Sequence, residues 1–529
     1  MLSSLPYQNI TIKGDLGYRI GKNYTRLEEW DYRPAHLFGS LHGWPGDWPG
    51  RAILALAKHV QLSGRYPVWL DRILDALEVK MAPDGFLGGK DPAAINEQAV
   101  SGHNWMLRGL LELWIWRKDA RALRMAHRLV EELYLPLLGH YQDYPTDPAV
   151  RDYNGGADGN LSGDAVNGWY LSTDIGCAYM SLDALSLYYH LFKDEKVLNL
   201  LTEMVETFVT IDFCGASMQT HASLAATRGM LQLYRDTGRE DLLTFAKDFF
   251  ALYKAKGMTE NYANMNWFVR PSWTEPCAIV DSMLVATELY KLTGETAYLE
   301  DANRIYYNGL RYAQRSSGGF GCDECPAEGY EGKTFLQAQA IHYEASWCCS
   351  MRGADGLTYL ASNAVLSEGD TLAFAFYFDG TYRLDGCTAE IRSEFPSEGK
   401  IRITLSGEKL PGKLCWYYPA NCDLSEAVLT RNGEPIPYTA ENGMLCCDGA
   451  DGEYLLTFPM EIRELGTVGE SAIPKKTFWR GIELLGLEMT EENTPWQEHL
   501  DALRPLDISI DTPKEELCQR KFQILFNLK

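Results

Sequence analysis

Two short cysteine motifs carry the side chains best suited to chemistry in this sequence. They are Thr-Glu-Pro-Cys at 274–277 and Trp-Cys-Cys-Ser at 347–350. Together they supply one carboxylate and three thiols: Glu275, Cys277, Cys348 and Cys349. One oxygen and three sulfur ligands suit a tetrahedral Zn²⁺, and coordination holds a thiol in its nucleophilic thiolate form. The two motifs therefore predict a zinc site with one sulfur placed to react.

Each motif also has an interpretation without chemistry. The 274–277 motif is typical of a capped helix start with a buried cysteine, because proline fits the first helical turn. The cysteine doublet is not diagnostic either, since a second doublet, Cys446-Cys447, lies in strand-like sequence with no acidic cysteine motif near it. The doublet at 348–349 differs because it precedes a predicted helix and follows the 274–277 motif by two elements.

A competing ligand set draws on a third cysteine motif. Cys322 and Cys325 have the Cys-x2-Cys spacing, and with Cys348 and Cys349 they would form a closed, structural four-sulfur zinc site. That arrangement would leave the 274–277 motif without a role. The four-sulfur site would indicate a non-catalytic carbohydrate-binding or scaffold protein, and this stays an alternative.

Three further residues are candidates for contact with a substrate. Glu260 lies in a polar, aromatic loop before the 274–277 motif, where a proton donor to a leaving group is expected; the alternative is an exposed loop carboxylate. His103 and His221 open predicted helices and are candidates to bind sugar hydroxyls; the alternative is a helix-cap or core histidine. Asp47 and Arg51 lie in an aromatic loop, where they either pair structurally or line the rim.

The elements that must position these residues are helical pairs. Helical periodicity runs from about residue 50 to 362 in paired stretches separated by Gly, Asp and Pro. The pairs repeat: Tyr234 and Gly238 recur as Tyr290 and Gly294 in matching sequence. In this alignment His221 corresponds to Cys277, so both open equivalent helices. About six pairs predict an (α/α)6 barrel, in which equivalent helix starts surround one mouth.

The pattern changes after about residue 365. Alternating apolar residues and Asn-Gly turns at 432–433 and 442–443 predict a β-sandwich. We therefore expect a mainly α protein with β structure: residues 1–12 hold a strand that joins the sandwich, 13–364 form the barrel, and 365–529 form the sandwich, with a break into two subdomains near 468. An aromatic, Gly- and Asp-rich segment at 136–171 is either a substrate rim or a surface loop.

Composition narrows the classes of partner. The 529 residues include 49 basic and 72 acidic side chains, a net charge of −23, and no basic run, so a nucleic-acid partner is not expected. No secretion signal and no run of about 18 apolar residues is present, which predicts a cytoplasmic protein without a membrane partner. Thirteen cysteines then indicate free thiols or metal ligands. The oligomeric state is left open, with a homodimer as one option.

These residues resemble the cysteine-dependent β-L-arabinofuranosidases, family 127 of the glycoside hydrolases. The resemblance covers most of the chain and rests on His103, His221, the motifs at 274–277 and 347–349, and the segment 478–488. In that family an (α/α)6 barrel precedes β-sandwich domains. The resemblance implies that the Glu and Cys of the first motif and both cysteines of the second bind Zn²⁺, that Cys348 is the nucleophile, and that Glu260 is the acid/base.

The function expected from this resemblance is that of a retaining exo-glycoside hydrolase. Its substrate would be an oligosaccharide or glycoside of plant or related origin, and its cofactor Zn²⁺. An α/α-barrel lyase or epimerase, in which acid/base residues act without a cysteine, is a further alternative.

Overall fold

The computed structural model describes residues 1–39, 44–81, 83–89, 91, 94–150, 161–271, 273–323, 325, 341–466 and 476–488. Its helices are α1 (Gly14–Leu27), α2 (Pro34–Leu37), α3 (Asp47–Ser63), α4 (Leu70–Met81), α5 (Glu97–Arg117), α6 (Ala120–Leu129), α7 (Ser181–Phe192), α8 (Glu195–Phe208), α9 (Thr220–Thr237), α10 (Glu240–Lys256), α11 (Pro276–Thr293), α12 (Thr296–Arg304), α13 (Arg311–Ala313) and α14 (Cys349–Asn363).

The long helices form a closed double ring. The inner ring runs α3, α5, α7, α9, α11 and α14, each packed on the next, and α14 closes it on α3. The outer helices α4, α6, α8 and α12 each pack on one inner helix, whereas α10 packs on α9 and α11 and α1 packs on α14 and α3. This confirms the predicted (α/α)6 barrel.

Burial separates the inner helices from the outer ones. The inner helix α11 is buried continuously from Pro276 to Lys291. The outer helix α8 buries Val197, Leu200, Leu201 and Met204, the i, i+3, i+4, i+7 stripe of a one-sided helix. A helix of the inner ring is surrounded on all sides, so each of its side chains must be apolar or have a polar partner. The residues of α11 meet this requirement.

The repeated Thr-Gly pairs end two inner helices. Gly238 follows α9 with φ of 70° and Gly294 follows α11 with φ of 73°. Glycine adopts this left-handed conformation at no steric cost, so the chain turns sharply into the next outer helix. The sequence repeat is thus a repeat of the inner-to-outer turn.

The strands are β1 (Ile10–Ile12), β2 (Ile95–Asn96), β3 (Leu161–Val166), β4 (Trp169–Ser172), β5 (Gly321–Asp323), β6 (Ile341–Glu344), β7 (Val365–Glu368), β8 (Thr371–Phe374), β9 (Gly380–Arg383), β10 (Cys387–Ser393), β11 (Lys400–Gly407), β12 (Lys413–Tyr417), β13 (Val428–Arg431), β14 (Glu434–Pro435), β15 (Thr439–Glu441), β16 (Met444–Asp448), β17 (Gly452–Thr457), β18 (Ile462–Leu465), β19 (Lys476–Arg480) and β20 (Glu483–Glu488).

Most of the described strands after α14 belong to two sheets. One has the order β1-β9-β10-β11-β17-β13-β14, and the other has the order β15-β16-β12-β8-β7. The N-terminal strand β1 pairs antiparallel with β9, with Ile10 opposite Tyr382. A third sheet, β18-β19-β20, contacts the barrel where Asn308 Nδ2 donates to the Ile482 carbonyl at 2.9 Å. The predicted break near 468 lies outside the described residues, and the domain limits stay a prediction.

None of the helices in the described part of the chain has both the length and the apolar character that crossing a bilayer requires.

Candidate metal centre

The two cysteine motifs occupy the N-terminal ends of neighbouring inner helices. Glu275 is the residue before α11, Cys277 is its second residue, and Cys348 directly precedes α14, which begins at Cys349. The start of a helix carries a positive partial charge, which favours anionic ligands. The barrel therefore brings together two motifs that are about seventy residues apart in sequence.

A small two-stranded sheet ties the motifs to each other. The Thr274 N–H donates to the Asp323 carbonyl at 2.7 Å, which attaches β5 to the first motif. β5 pairs with β6, and Ser350 Oγ accepts from the Phe320 N–H at 2.9 Å, which attaches the same sheet to the second motif. Asn264 Oδ1 accepts from the Glu275 N–H at 2.7 Å and fixes the residue before the helix.

The four ligand atoms lie within 4.8 Å of one another. The Sγ atoms of Cys277 and Cys349 are 3.6 Å apart, and those of Cys348 and Cys349 are 3.4 Å apart. Around a tetrahedral zinc with Zn–S bonds of about 2.3 Å, sulfur atoms are separated by roughly 3.7 Å. These two sulfur separations are therefore close to those around a tetrahedral zinc ion.

The carboxylate gives an independent test of that fit. Glu275 Oε1 lies 3.3 Å from His221 Nδ1, whereas Glu275 Oε2 is buried without a hydrogen-bond partner. A buried carboxylate oxygen without a partner is costly unless a cation or donor joins it. Glu275 belongs to the four-residue cluster, so the residues present fit a bound Zn²⁺.

Burial keeps the thiols protonated when no cation is present. It raises the pKa of the Cys277 thiol well above its usual range, and the hydrogen bond to Cys348 adds to the rise. For Cys348 the hydrogen bond with Cys277 lowers the pKa, but the bond to Cys349 and burial outweigh it and leave the pKa well above its usual range. Three thiolates side by side therefore need a cation among them.

Two positively charged groups flank the cluster. The Arg51 guanidinium lies 3.6 Å from Cys277 Sγ and pairs with Asp47 at 2.8 Å. Burial lowers the pKa of His221, but the carboxylates of Glu275 and Asp281 outweigh it and raise that pKa, which favours imidazolium. A divalent ion with four anionic ligands would carry two excess negative charges; Arg51, paired with Asp47, and His221, paired with Asp281, lie beside them.

Buried ion pairs across the ring hold His221 in place. His221 Nε2 lies 3.2 Å from Asp281 Oδ2, one helical turn after Cys277. Asp281 also pairs with Arg228 at 2.8 Å and with Arg352, and these cations help to hold its pKa at about 2 against the effect of burial. The Trp105 ring stacks on His221 at 5.5 Å. Glu275 is thus oriented by a chain of contacts from four inner helices.

His103 and Glu260 stay predictions as site residues. Both ring nitrogens of His103 are bonded to backbone: Nδ1 donates to the Ala99 carbonyl at 2.7 Å, and Nε2 accepts from the Leu87 N–H at 2.9 Å. Burial lowers its pKa to about 4. These contacts favour the core-histidine alternative. Glu260 is 7% exposed, in a turn of the loop before Glu275, and is not part of the four-residue cluster.

The competing four-sulfur set does not assemble among the described residues. Cys325 Sγ donates to the Asn264 carbonyl at 3.4 Å, and Cys322 is buried beside Cys349, but neither belongs to the group that could hold a metal. The only such group in the described part of the chain contains Glu275 and Cys277. The structural-zinc alternative therefore loses its ligand set.

Three rings of the 136–171 segment fit neither of its two alternatives, a substrate rim or a surface loop. Tyr141, Tyr144 and Trp169 are at most 4% exposed and pack on one another and on Tyr179. The positions 151–160 lie outside the described residues. Gly- and Asp-rich composition indicated a surface segment, whereas these rings help to form the barrel core.

Sequence reasoning left Arg51 undecided and missed Trp105 and Asp281. The i, i+4 spacing of Asp47 and Arg51 was the available clue for an ion pair on one helix face. The guanidinium also stacks over Trp105, at 4.1 Å from the ring centroid. Asp281 follows Cys277 by four residues and so shares its face, which is the clue that could have identified it.

The fold matches solved glycoside hydrolases along most of its length. A GH127 β-arabinofuranosidase superposes with a TM-score of 0.66 at 13% identity, covering 91% of this chain and 85% of that one. A GH127 β-L-arabinofuranosidase from Geobacillus stearothermophilus T6 gives 0.63 at 14% identity, covering 90% and 86%. A structure described as a glycoside hydrolase gives 0.66 at 13% identity, covering 91% and 82%.

These likenesses confirm the resemblance to family 127 at the level of the fold. No family model matches the sequence, and no curated protein matches it. The similarity is therefore one of fold, at a sequence identity of 13% to 14%.

Proposed function

We propose that this protein is a retaining, exo-acting glycoside hydrolase similar to the β-L-arabinofuranosidases, with Cys348 as nucleophile and Glu260 as acid/base. The observation that carries the proposal is the Glu275, Cys277, Cys348 and Cys349 cluster at the ends of two inner helices. The solved structures with the same fold are described as glycoside hydrolases and β-arabinofuranosidases, which supports an arabinofuranoside as substrate. We propose that this sugar is the terminal residue of a plant or related glycan.

Access supports Cys348 as the reacting sulfur. Cys277 and Cys349 are 0% exposed, whereas Cys348 is only partly buried. Trp347, beside it, is 41% exposed and offers an aromatic face of the kind on which sugar C–H surfaces stack. Of the three sulfurs, Cys348 is the one that an anomeric carbon can approach.

The proposed reaction has two steps. Cys348 attacks the anomeric carbon while Glu260 donates its proton to the departing glycosidic oxygen, which leaves a sugar bonded to the Cys348 sulfur. Glu260, now ionised, then takes a proton from water as that water attacks the same carbon, the C–S bond breaks, and configuration is retained. When bound, Zn²⁺ would keep the cysteines as thiolates. Arg51 and His221 contact the Cys277 and Glu275 side chains and fix their positions.

A panel of p-nitrophenyl furanosides and pyranosides, assayed with and without a chelator, tests the activity. We expect turnover of a β-L-arabinofuranoside that chelation abolishes and added Zn²⁺ restores. Cys348→Ser should remove turnover while the protein remains folded. Full activity in Cys348→Ala would instead indicate a lyase or epimerase-type site that does not use this sulfur.

The acid/base role is tested separately. Glu260→Gln should slow hydrolysis of unactivated glycosides strongly and spare p-nitrophenyl substrates, because a good leaving group needs no protonation. Equal loss on both substrate types would argue against Glu260 as the acid.

A further inference from the structure

A second cavity lies away from the cysteine cluster, where the barrel meets the sandwich. Its volume is about 410 Å³, within the range of roughly 300–1,000 Å³ typical of small-molecule sites. One side is formed by the barrel residues Tyr306, Tyr307 and Arg311, and the other by the chain around 377–379 and 393–398. None of the four cluster residues lines this cavity.

The barrel side presents hydrogen-bond donors that lack partners. Tyr306 and Tyr307 are 1% and 4% exposed, and neither phenolic hydroxyl has a hydrogen-bond partner in the described part of the chain. Arg311 Nε is buried and also lacks one, since the guanidinium meets Asp15 at 3.5 Å and Glu483 at 3.7 Å as ion pairs only. Of these three donors only Arg311 Nε is fully buried, where an unpaired donor is costly, and the two hydroxyls are open to water or to a ligand.

The opposite side of the cavity presents carboxylate acceptors, two of which already have a partner within the protein. Asp379 Oδ1 accepts from the Ser393 N–H at 2.8 Å, and Glu394 pairs with Lys400 at 2.5 Å. The exposed Ser397 and Glu398 complete the rim. The cavity thus offers both donors and acceptors to a ligand.

Aromatic rings form part of the lining. Phe395 contacts Tyr307 edge-on at 5.6 Å and Tyr377 at 5.7 Å. Rings beside mixed donors and acceptors are the combination that a sugar uses, because its C–H faces pack on rings while its hydroxyls both donate and accept.

We propose that this cavity is a second binding site for a neutral mono- or disaccharide, separate from the cysteine cluster. An anionic ligand would meet the carboxylates of Asp15, Asp379, Glu394 and Glu398. A cationic one would lie beside Arg311 and leave both tyrosine hydroxyls unused as donors. A neutral polyol satisfies the unpaired donors at no electrostatic cost. The site does not depend on the proposed hydrolysis.

Isothermal titration calorimetry of the full-length, zinc-loaded protein tests this site. The probes are L-arabinose, D-galactose and maltose as neutral sugars, glucosamine as a cation and glucuronate as an anion. We expect saturable binding of at least one neutral sugar. Tyr307→Phe should weaken it about fivefold, the effect of removing one hydrogen bond. Ser397→Trp, at the exposed rim, should abolish it by filling the cavity. Tyr234→Phe, on α9 outside the cavity, is the matched control and should bind normally.

Three outcomes would overturn the proposal. They are tighter binding of glucosamine or glucuronate than of every neutral sugar, no saturable binding of any probe, and equal neutral-sugar affinity in the wild-type and Ser397→Trp proteins. Turnover of p-nitrophenyl glycosides by the Tyr307→Phe protein should match that of the wild type, which separates this site from the cysteine cluster. Failure of the proposed hydrolysis would leave the titration result unchanged.

Discussion

The chain contains two adjacent cysteine pairs whose surroundings differ completely. Cys348 and Cys349 lie at the start of α14, beside a second helix start that adds Glu275 and Cys277. Cys446 and Cys447 lie in β16, where Cys446 faces Cys415 and Cys447 faces Leu414 across the antiparallel pairing with β12. In the described part of the chain no carboxylate completes a metal-binding group around this second pair.

The comparison shows which structural setting allows two adjacent cysteines to bind one metal ion. In a strand, neighbouring side chains point to opposite faces, so two adjacent thiols cannot converge on one ion from regular β structure. Cys348 precedes α14 with a non-helical backbone, φ of −140° and ψ of −64°, and its sulfur lies 3.4 Å from that of Cys349. A neighbouring helix start then supplies the remaining ligands.

The sharpest test of this contrast is to remove one ligand from each pair. Cys277→Ala should reduce bound zinc from one per chain to almost none and lower kcat/KM by about 1,000-fold or more, because it removes a ligand to the metal. Cys446→Ala is the matched control and should keep both zinc and activity. Metal analysis by mass spectrometry and steady-state assays measure the two. Full zinc content in the Cys277→Ala protein would contradict the assignment of the cluster.

The barrel and the four-residue cluster were predictable because both depend on local patterns. Helical periodicity recurs with the Thr-Gly turns at Gly238 and Gly294, and the repeat placed His221 and Cys277 at equivalent helix starts, which the structure confirms. In a closed ring of helix pairs the starts of the inner helices surround one mouth. The ligands at these starts could therefore be grouped from the sequence repeat alone.

The contacts around the cluster were not predictable to the same extent. Arg51 reaches Cys277 across 226 positions of sequence, and only the packing of the inner ring brings them together. The burial of Tyr141 and Trp169 depends likewise on neighbours such as Tyr179 that no local pattern indicates. Sequence patterns identify the ligands, whereas the charges that balance them come from tertiary packing.

Alkylation by iodoacetamide should separate the two pairs next. Burial raises the pKa of Cys447 to about 12, so its thiolate fraction at pH 7 is minute and should grow about tenfold per pH unit. Cys348 bound to zinc is already a thiolate, and its alkylation should stay nearly constant between pH 6 and 9. Peptide mass spectrometry of the zinc-loaded protein measures both rates. A parallel rise at Cys348 would mean that this sulfur is not bound to the metal.

A smaller effect is expected from the charge beside the cluster. Arg51→Met removes the guanidinium next to Cys277 and should weaken zinc binding by about 10- to 100-fold, as for other contacts to metal ligands. Arg51→Lys keeps the charge and should recover part of the loss. Competition with a chelating dye measures the affinities. Arg392→Met, at a residue whose side chain is 74% exposed, serves as control. Unchanged affinity in the Arg51→Met protein would show that this cation does not stabilise the ligands.

The smallest effect concerns the stability that the strand pair provides. Cys446 is 3% exposed and packs in the sandwich as a small apolar residue, so Cys446→Ala should cost about 1 kcal/mol and shift the midpoint of thermal unfolding by no more than about 2 °C. Differential scanning calorimetry with and without a chelator measures this shift. Chelation should lower the midpoint equally in the wild-type and Cys446→Ala proteins, since zinc stabilises the folded state through the other pair. A midpoint in the Cys446→Ala protein that no longer responds to chelation would give the strand pair a role in metal binding, and the contrast between the two doublets would fail.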